Sequence, residues 1–341
     1  MEVTKAVVLA GADGDGRWPG AAPWSRQLLP VANRPMLFHT LDAIARAGLS
    51  EVAIVVTPSV EDAIRDAVGA EPSWGLDTHY VRQAEDDSAL NGLQAASGFL
   101  GDEPFLVQSC DLVLRQAIDV LRDRFAEERW DALALRVPRV PGSGRAAGQA
   151  AAAGAGGTSA WFLGPRAYEA VCAESGLSPD LNRAVAGIRD TGGRIGVAAV
   201  EGCLPFVNGD ESYLSANRYM LEQITADFDP SRLADSTVQG PVVVHPTARL
   251  ERTLVRGPAI IGPNARLTSA YVGPYSSIGA DVVVEGAEIE HSVVLAGAQL
   301  NFVGSRLEDS VIGRGARVER DFGVPRAMRL FLGDQSRVTL A

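Results

Sequence analysis

Lysine is almost absent from this sequence. Its 341 residues include 31 basic side chains, of which Lys5 is the only lysine and the other thirty are arginines. Acidic side chains outnumber them, 42 against 31, which gives a formal net charge of −11 at pH 7. Association with nucleic acid or with an anionic membrane needs a basic field, so we expect neither as a partner. Beyond residue 5, no lysine is available to contact a bound phosphate.

Cysteines and long apolar runs are also scarce. Cys110, Cys172 and Cys203 are widely spaced and form neither a disulfide framework nor a zinc set, which fits a reducing cytoplasm. No apolar run approaches the roughly 18 residues that a membrane helix needs. The short run at residues 6–10 leads into a glycine-rich loop, so it is predicted to be a buried strand rather than part of a signal peptide. We therefore expect a cytoplasmic protein.

In the first 225 residues, short apolar runs alternate with helical patterns, as is typical of an α/β sheet covered by helices. Strands are predicted over residues 5–10, 52–56, 79–81, 105–107, 132–137, 160–163 and 195–200. Helices are predicted over 36–47, 60–68, 117–125 and 211–224, with Ser59 as the capping residue of the second. Residues 142–157 consist mainly of alanine and glycine and are predicted to form a surface loop.

A repeat begins after residue 237. Five similar hexapeptides start at Val244, Ile261, Ile278, Val294 and Ile312, which are 17, 17, 16 and 18 residues apart. An aliphatic residue followed by a small residue four positions on is typical of a parallel β-helix, in which the aliphatic side chains stack inside. The pattern predicts an α/β domain over 1–225, a linker over 226–236 and a β-helix with a C-terminal tail over 237–341. The open ends of such a solenoid predict a homo-oligomer.

Candidate ligand-binding residues follow two predicted strands, because open α/β sheets bind ligands beyond the carboxyl ends of their strands. Residues 9–17 read Leu-Ala-Gly-Ala-Asp-Gly-Asp-Gly-Arg, a loop that could cradle a phosphate with Arg17 as its partner or could form only a tight turn. Asp13 and Asp15 would repel a phosphate unless a metal intervened. Asp111 ends another strand, where it is either a Mg²⁺ ligand or a turn aspartate.

The motifs in several segments resemble one enzyme family. The run Lys5-Ala-Val-Val-Leu-Ala-Gly11, then Arg17, and the run Gln27-Leu-Leu-Pro-Val-Ala-Asn-Arg-Pro-Met-Leu37 resemble the opening of sugar-1-phosphate nucleotidyltransferases. The segments 214–218, 272–279, 288–294 and 330–338 resemble the long form of glucose-1-phosphate thymidylyltransferase. The resemblance implies a Rossmann-like (GT-A-like) nucleotidyltransferase domain followed by a left-handed parallel β-helix.

The resemblance also implies a reaction and a site. A nucleoside triphosphate and a sugar 1-phosphate would give a nucleotide sugar and pyrophosphate with Mg²⁺, with thymidylyl transfer to glucose 1-phosphate or a related sugar phosphate as the closest case. By resemblance, Gln83 would recognise the base, and Ser88 takes the place of a base-loop glycine. The implied nucleotide-binding residues are Leu9, Ala10, Gly11, Ala12, Gly14, Gln83 and Ser88. The implied catalytic residues are Arg17, Arg26 and Asp111, and Asp111 is the implied metal ligand.

Several positions depart from the family pattern. Arg26 replaces a lysine, Leu112 replaces the asparagine after the metal aspartate, and the second metal aspartate falls on Phe206. These departures predict very weak or absent turnover of thymidine triphosphate with glucose 1-phosphate. They leave open a catalytically impaired relative that binds a nucleotide or a partner protein in a regulatory or scaffolding role. An acyltransferase that uses His245 or His291 of the β-helix has less support, because both residues are predicted to be surface side chains.

Overall fold

The computed structural model describes residues 2–11, 26–71, 74–84, 88–110, 112–114, 117–136, 158–173, 181–203, 210–320 and 322. The predicted alanine–glycine loop at 142–157 lies outside these residues. The chain divides into two compact units. In its described part, the first unit comprises residues 2–11, 26–29 and 35–203, and the second comprises Pro30–Arg34, 210–320 and 322.

The first 221 residues contain most of the helices. In chain order the elements are β1 (Lys5–Leu9), a 3₁₀ turn (Arg26–Leu28), β2 (Pro30–Val31), β3 (Arg34–Pro35), α1 (Met36–Arg46), β4 (Glu51–Val56), α2 (Glu61–Gly69), β5 (Asp77–Arg82), α3 (Ala89–Ala95), α4 (Ser97–Leu100), β6 (Phe105–Ser109), β7 (Val113–Leu114), α5 (Ile118–Glu127), β8 (Ala132–Arg136), β9 (Thr158–Leu163), α6 (Pro165–Ala173), α7 (Leu181–Gly187), a 3₁₀ turn (Ile188–Thr191), β10 (Ile195–Ala199), β11 (Gly202–Cys203) and α8 (Asp210–Leu221).

A seven-stranded sheet in the order β10-β8-β9-β6-β1-β4-β5 forms the centre of the first unit. Strand β9 is antiparallel to both of its neighbours, and the other pairings are parallel. All seven strands were predicted from apolar runs. The prediction for Ser59 is wrong, because α2 begins after Val60 without a side-chain cap and the Ser59 hydroxyl lies 2.9 Å from that of Thr57.

Helices cover both faces of this sheet. Alternate residues of a strand point to opposite faces, so Ala6 and Val8 pack with α1, α2 and α5, whereas Val7 packs with α3, α4, α6 and α7. Such double coverage explains why the central strands β1 and β4 consist almost entirely of apolar residues. At the amino end of β1, the Nζ of Lys5 donates to the carbonyl oxygens of Phe99 and Leu100 at 3.2 and 3.4 Å and pairs with Glu103 at 2.7 Å. The only lysine therefore caps the end of α4.

The second unit contains a left-handed parallel β-helix built from three sheets. One sheet has the strands Leu233–Ala234, Arg249–Glu251, Arg266–Thr268, Val283–Glu285, Gln299–Asn301 and Arg317–Glu319. The second has Thr237–Gln239, Leu254–Arg256, Tyr271–Val272, Glu288–Glu290 and Leu307–Glu308. The third has Val242–Val244, Ala259–Ile261, Ser276–Ile278, Val293–Val294 and Val311–Ile312.

The predicted aliphatic stack is confirmed. Val244, Ile261, Ile278, Val294 and Ile312 pair in register along the third sheet. The three middle residues are fully buried, and the two end residues, which belong to the outermost described strands of this sheet, are half-buried. The β-helix begins earlier than the hexapeptides indicate. A 3₁₀ turn (Pro230–Arg232) leads into the strand Leu233–Ala234, in which Leu233 lies opposite Leu250.

Helix α8 and the hairpin formed by β2 and β3 are grouped with the β-helix, although the sequence analysis assigned both to the first domain. Local periodicity predicts that residues 210–221 are helical, but it carries no information on which apolar surface the helix covers.

Within the described ranges, no helix combines the length and apolar character needed to cross a membrane.

The core of the first unit contains a buried side-chain amide without a hydrogen-bond partner. Gln108 in β6 lies opposite Val8 of β1 and Ala160 of β9 and is 1% exposed. Neither its Oε1 nor its Nε2 has a hydrogen-bond partner. A buried amide of this kind costs about 1–3 kcal/mol of folding free energy, because it loses its water ligands without replacement.

We therefore predict that Gln108→Met stabilises the protein. Methionine has a similar length and no polar group to desolvate, so the melting temperature measured by calorimetry should rise by a few degrees. The matched variant is Thr40→Val. The buried Thr40 hydroxyl donates to the carbonyl oxygen of Cys110 at 3.3 Å, so its removal should lower the melting temperature. A lower melting temperature for Gln108→Met would contradict the conclusion that the unpartnered Gln108 amide destabilises the protein.

Candidate functional site

The strands β1, β4, β5 and β6 run parallel, so their carboxyl ends meet at one edge of the sheet. Gly11 follows β1 at this edge. The N–H of Ala10 donates to the carbonyl oxygen of Val55 at 2.8 Å, and the hydroxyl of Thr57 donates to the carbonyl oxygen of Gly11 at 3.4 Å. The backbone that leads into the glycine-rich loop is therefore held against the end of β4.

Gln83 follows β5 at the same edge, and its N–H donates to the carbonyl oxygen of Val56 at 2.9 Å. Its side chain is only 7% exposed and lies between two glycines. A Cβ at Gly11 would overlap Nε2 of Gln83, and a Cβ at Gly92 would lie 2.7 Å from its Oε1. Only glycine leaves room for the amide at both positions, because real Cβ contacts are not that short. The fold thus surrounds one buried amide with two stretches of bare backbone.

Ser88 lies at the start of α3, and its contact with a base stays a prediction. Its hydroxyl accepts a hydrogen bond from the N–H of Asn91 at 3.1 Å, so Ser88 is the N-cap of α3. Gly92, one turn further along α3, is the glycine that faces Gln83. Neither Gly92 nor Thr57 was predicted from the sequence as part of the site. A glycine inside a short helix is a signal of close packing that could have identified Gly92.

An ion-pair cluster lies beside Gln83. The carboxylate of Glu61, at the start of α2, accepts hydrogen bonds from Arg82 and, at 2.8 Å, from Arg65. These contacts, with the Arg82 bond as the larger effect, hold the pKa of Glu61 below its usual value. The Arg65 guanidinium also lies 4.1 Å from the centroid of the Tyr80 ring. The cluster ties the end of β5, and hence Gln83, to α2.

The other implied site residues fall into two groups. Arg26 is half-buried and is the first residue of the 3₁₀ turn before β2. Its carbonyl oxygen accepts a hydrogen bond from the N–H of Leu29 at 3.2 Å. Ala12, Gly14, Arg17 and Asp111 lie outside the described residues. The structure therefore brings together Leu9, Ala10, Gly11 and Gln83 at the edge of the sheet.

The residues around position 111 show the end of β6. The N–H of Cys110 donates to the carbonyl oxygen of Leu9 at 3.1 Å, so the chain continues beside β1 as far as Cys110. Leu112, which stands where the resemblance places an asparagine, is fully buried in the apolar core and offers no polar side-chain atom. In the ranges that the structure describes, no three or more His, Cys, Asp or Glu side chains are grouped as a metal site. Asp111 itself, a carboxylate of the kind that Mg²⁺ prefers, is outside these ranges.

Comparisons with known proteins agree with this arrangement. Residues 5–143 match a family model described as "Nucleotidyl transferase". A glucose-1-phosphate thymidylyltransferase from Streptomyces antibioticus is 30% identical over 358 residues, covering 98% of this chain and 99% of the relative. One from Streptomyces griseus is 31% identical over 360 residues, covering 99% of each.

The fold of part of the chain also matches a solved structure. A Bacillus anthracis protein, crystallised with sucrose and described as a candidate glucose-1-phosphate thymidylyltransferase, aligns with a TM-score of 0.53 at 16% identity. The alignment covers 66% of this chain and 97% of that one. At this identity the match supports the fold alone, whereas the two Streptomyces relatives match along nearly the whole length of both chains. The chain belongs to the sugar-1-phosphate nucleotidyltransferase family.

Proposed function

We propose that this protein transfers a nucleotidyl group to a sugar 1-phosphate, with thymidine triphosphate and glucose 1-phosphate or a related sugar phosphate as the favoured pair. An oxygen of the sugar phosphate attacks the α-phosphorus, the bond to the bridging oxygen of the β-phosphate breaks, and pyrophosphate leaves. The observation that carries the proposal is the buried amide of Gln83 between Gly11 and Gly92, next to the start of the glycine-rich loop.

Gln83 would recognise the base. Its amide offers an acceptor and a donor side by side, which complements the N–H and the adjacent carbonyl on the edge of thymine or uracil. Because neither Gly11 nor Gly92 carries a side chain, the amide fits against the backbone beside the start of the glycine-rich loop, where we expect the base to bind. Ser88 contributes indirectly in this proposal, by starting the helix that carries Gly92.

Cationic groups and a metal would handle the phosphates. The loop after Gly11 would wrap the triphosphate, and Arg17 and Arg26 would neutralise charge that develops during transfer. Asp111 would hold Mg²⁺, which commonly takes one or two carboxylates together with phosphate oxygens and supplies charge neutralisation. The use of Mg²⁺ and association into a homo-oligomer stay predictions.

Arginine is the cation of this proposed site for a structural reason. Lys5, the only lysine, lies at the amino end of β1, whereas Gly11 follows its carboxyl end. The Lys5 ammonium group is also occupied by two carbonyl oxygens and by Glu103. A planar guanidinium holds phosphate oxygens in a fixed fork and does not replace the compact ammonium group atom for atom. We therefore expect slow transfer.

The experiment that tests the function measures pyrophosphate release. Thymidine triphosphate with glucose 1-phosphate and Mg²⁺ should give slow release that needs all three components. Arg17→Ala and Asp111→Ala should abolish it, because each removes a charge that acts on the phosphates. Arg189→Ala, in an exposed 3₁₀ turn, is the matched control and should behave like the parent.

The panel of substrates decides between the proposal and its alternative. Other nucleoside triphosphates and sugar 1-phosphates are assayed in the same way, and binding is followed by the shift in melting temperature that a ligand of the native state produces. Binding without release for every pair would favour the catalytically impaired relative. Release that survives both substitutions would place the site elsewhere.

A second prediction concerns Gly92. Gly92→Ala puts a Cβ 2.7 Å from Oε1 of Gln83, so the amide must move and binding of thymidine triphosphate should weaken at least tenfold in titration calorimetry. Gly98→Ala in the neighbouring helix α4 is the matched control, since a Cβ there has no atom within 4 Å. Equal affinities for the two variants would argue against Gln83 as a base-contacting residue.

A third prediction uses the scarcity of lysine. Acetylation of amines can modify only Lys5 and the amino terminus of the chain. Because Lys5 lies at the opposite end of β1 from Gly11, acetylation should leave the affinity for thymidine triphosphate unchanged within about twofold. Arginine-directed phenylglyoxal should abolish binding, and bound nucleotide should protect against it. Loss of binding on acetylation, with mass spectrometry showing Lys5 as the modified residue, would contradict an arginine-only site.

A further inference from the structure

The Gln83 amide follows a strand that has a neighbour on one side only. Strand β5 is at the edge of the seven-stranded sheet, next to β4. The pairing of the two strands ends at Val56 and Arg82, and one further backbone hydrogen bond holds the N–H of Gln83 to Val56. The end of an edge strand opens more readily than that of a central strand, because its backbone is bonded on one side only. The amide therefore needs support from outside the sheet.

A buried carboxylate in α2 gives this support. Successive residues of a strand point to opposite faces, and accordingly Arg82 contacts Glu61 of α2, whereas Gln83 lies against α3. The Glu61 side chain is only 5% exposed and that of Arg82 is 71% exposed. Glu61 is the fixed partner, because its second oxygen accepts a hydrogen bond from Arg65 at 2.8 Å. Glu61 therefore holds β5 at the residue that immediately precedes Gln83.

The same glutamate is connected to the start of the glycine-rich loop. The N–H of Glu61 donates to the carbonyl oxygen of Thr57 at 3.2 Å, and the Thr57 hydroxyl donates to the carbonyl oxygen of Gly11 at 3.4 Å. Gly11 is in turn the residue against which Nε2 of Gln83 packs. A closed circuit of contacts within the first unit thus runs through Gly11, Thr57, Glu61, Arg82 and Gln83.

The position of the Gln83 amide matters because its two ends have opposite hydrogen-bonding roles. Its Nε2 only donates and its Oε1 only accepts. Thymine presents a carbonyl and an N–H at the edge where cytosine presents an amino group and a bare ring nitrogen. An amide held in one position distinguishes the two bases, whereas a loosely held amide can turn over and bind either.

We propose that Glu61 is a positioning residue for base recognition: through Arg82, it holds the Gln83 amide in one orientation and so makes the site prefer thymine to cytosine. The inference rests on the proposed function, in which Gln83 contacts the base. The hydrogen bond from Arg82, followed by that from Arg65, keeps the pKa of Glu61 below its usual value, so the carboxylate stays ionised at neutral pH. A role in stability alone would change the folded fraction and would leave the base preference of that fraction unchanged.

The test measures the affinity of the full chain for thymidine triphosphate and for deoxycytidine triphosphate by titration calorimetry. Glu61→Gln removes the charge and keeps the shape of the side chain. Arg82→Ala breaks the same ion pair from its exposed side, so this variant should fold even where the change at the buried glutamate does not. Glu128→Gln is the matched control, since Glu128 at the end of α5 accepts a hydrogen bond from Arg124 at 2.7 Å.

We expect the parent to bind thymidine triphosphate at least tenfold more tightly than deoxycytidine triphosphate. Glu61→Gln and Arg82→Ala should each reduce this ratio to threefold or less. The double variant should lose no more than either single one, because both changes remove the same ion pair. Amide hydrogen exchange over residues 80–84, measured without nucleotide, should be at least tenfold faster in all three, and Glu128→Gln should match the parent.

The variant Gln83→Ala separates the two proposals. Loss of the base preference in Gln83→Ala, with the parental preference kept in Glu61→Gln and Arg82→Ala, would overturn the positioning role and leave base recognition by Gln83 intact. Loss of the preference in these two variants without faster exchange would also overturn the positioning role, since the end of β5 would not have moved. A parent without a base preference, or a preference that survives Gln83→Ala, would overturn both the positioning role and base recognition.

Failure of the transfer reaction gives a different result. The positioning role is tested by binding, so a parent that binds with the expected preference but releases no pyrophosphate would overturn the proposed transfer alone. A parent that binds neither nucleotide would overturn both proposals together.

Discussion

The parallel pairing of β1 with both β4 and β6 is the constraint on which the site depends. Leu9 lies opposite Val55 and Ser109, so three strands end at the same level. Gly11, Thr57 and Gln83 each follow the end of a strand by one or two residues. Because successive residues of a strand point to opposite faces, a slip of one residue between these strands would move the side chains of Thr57 and Gln83 away from Gly11. The hydrophobic pattern on both faces of the sheet prevents that slip, so the core and the site depend on the same register.

The sequence predicted most of the fold because the signals are local. The central strands β1, β4 and β6 contain apolar runs that are buried on two faces, and the repeat of the β-helix recurs every 16 to 18 residues. The resemblance then singled out Gln83. Without it, a single polar residue in a loop would not have suggested a buried amide. Residues such as Gln108 were missed because an unpartnered amide in a strand has no distinctive pattern in the sequence.

The remaining errors concern positions that only three-dimensional contacts determine. The close approach of α3 to Gln83 occurs at Gly92, which was not predicted because a single glycine in a short helix is a weak signal. Ser59 has the spacing of a helix cap, yet its hydroxyl pairs with Thr57. Asn217 lies on the apolar stripe of α8, where periodicity treats it as one more buried position. Its hydrogen bonds reach residues 185 and 60 positions away in the chain, which no local pattern can indicate.

The stacked coils of the β-helix give the second unit an order of unfolding. In a solenoid each coil is stabilised only by its neighbours, so opening starts at the ends and moves inward one coil at a time. Among the described coils, the outermost ones carry the half-buried Val244 and Ile312, and we expect these coils to open first. Asn217 and Asn33 bond to residues 275–278, and Ser276–Ile278 is the third of five strands in its sheet. The hairpin is therefore attached to the coil that is the last to open, so fraying at either end of the solenoid does not reach it.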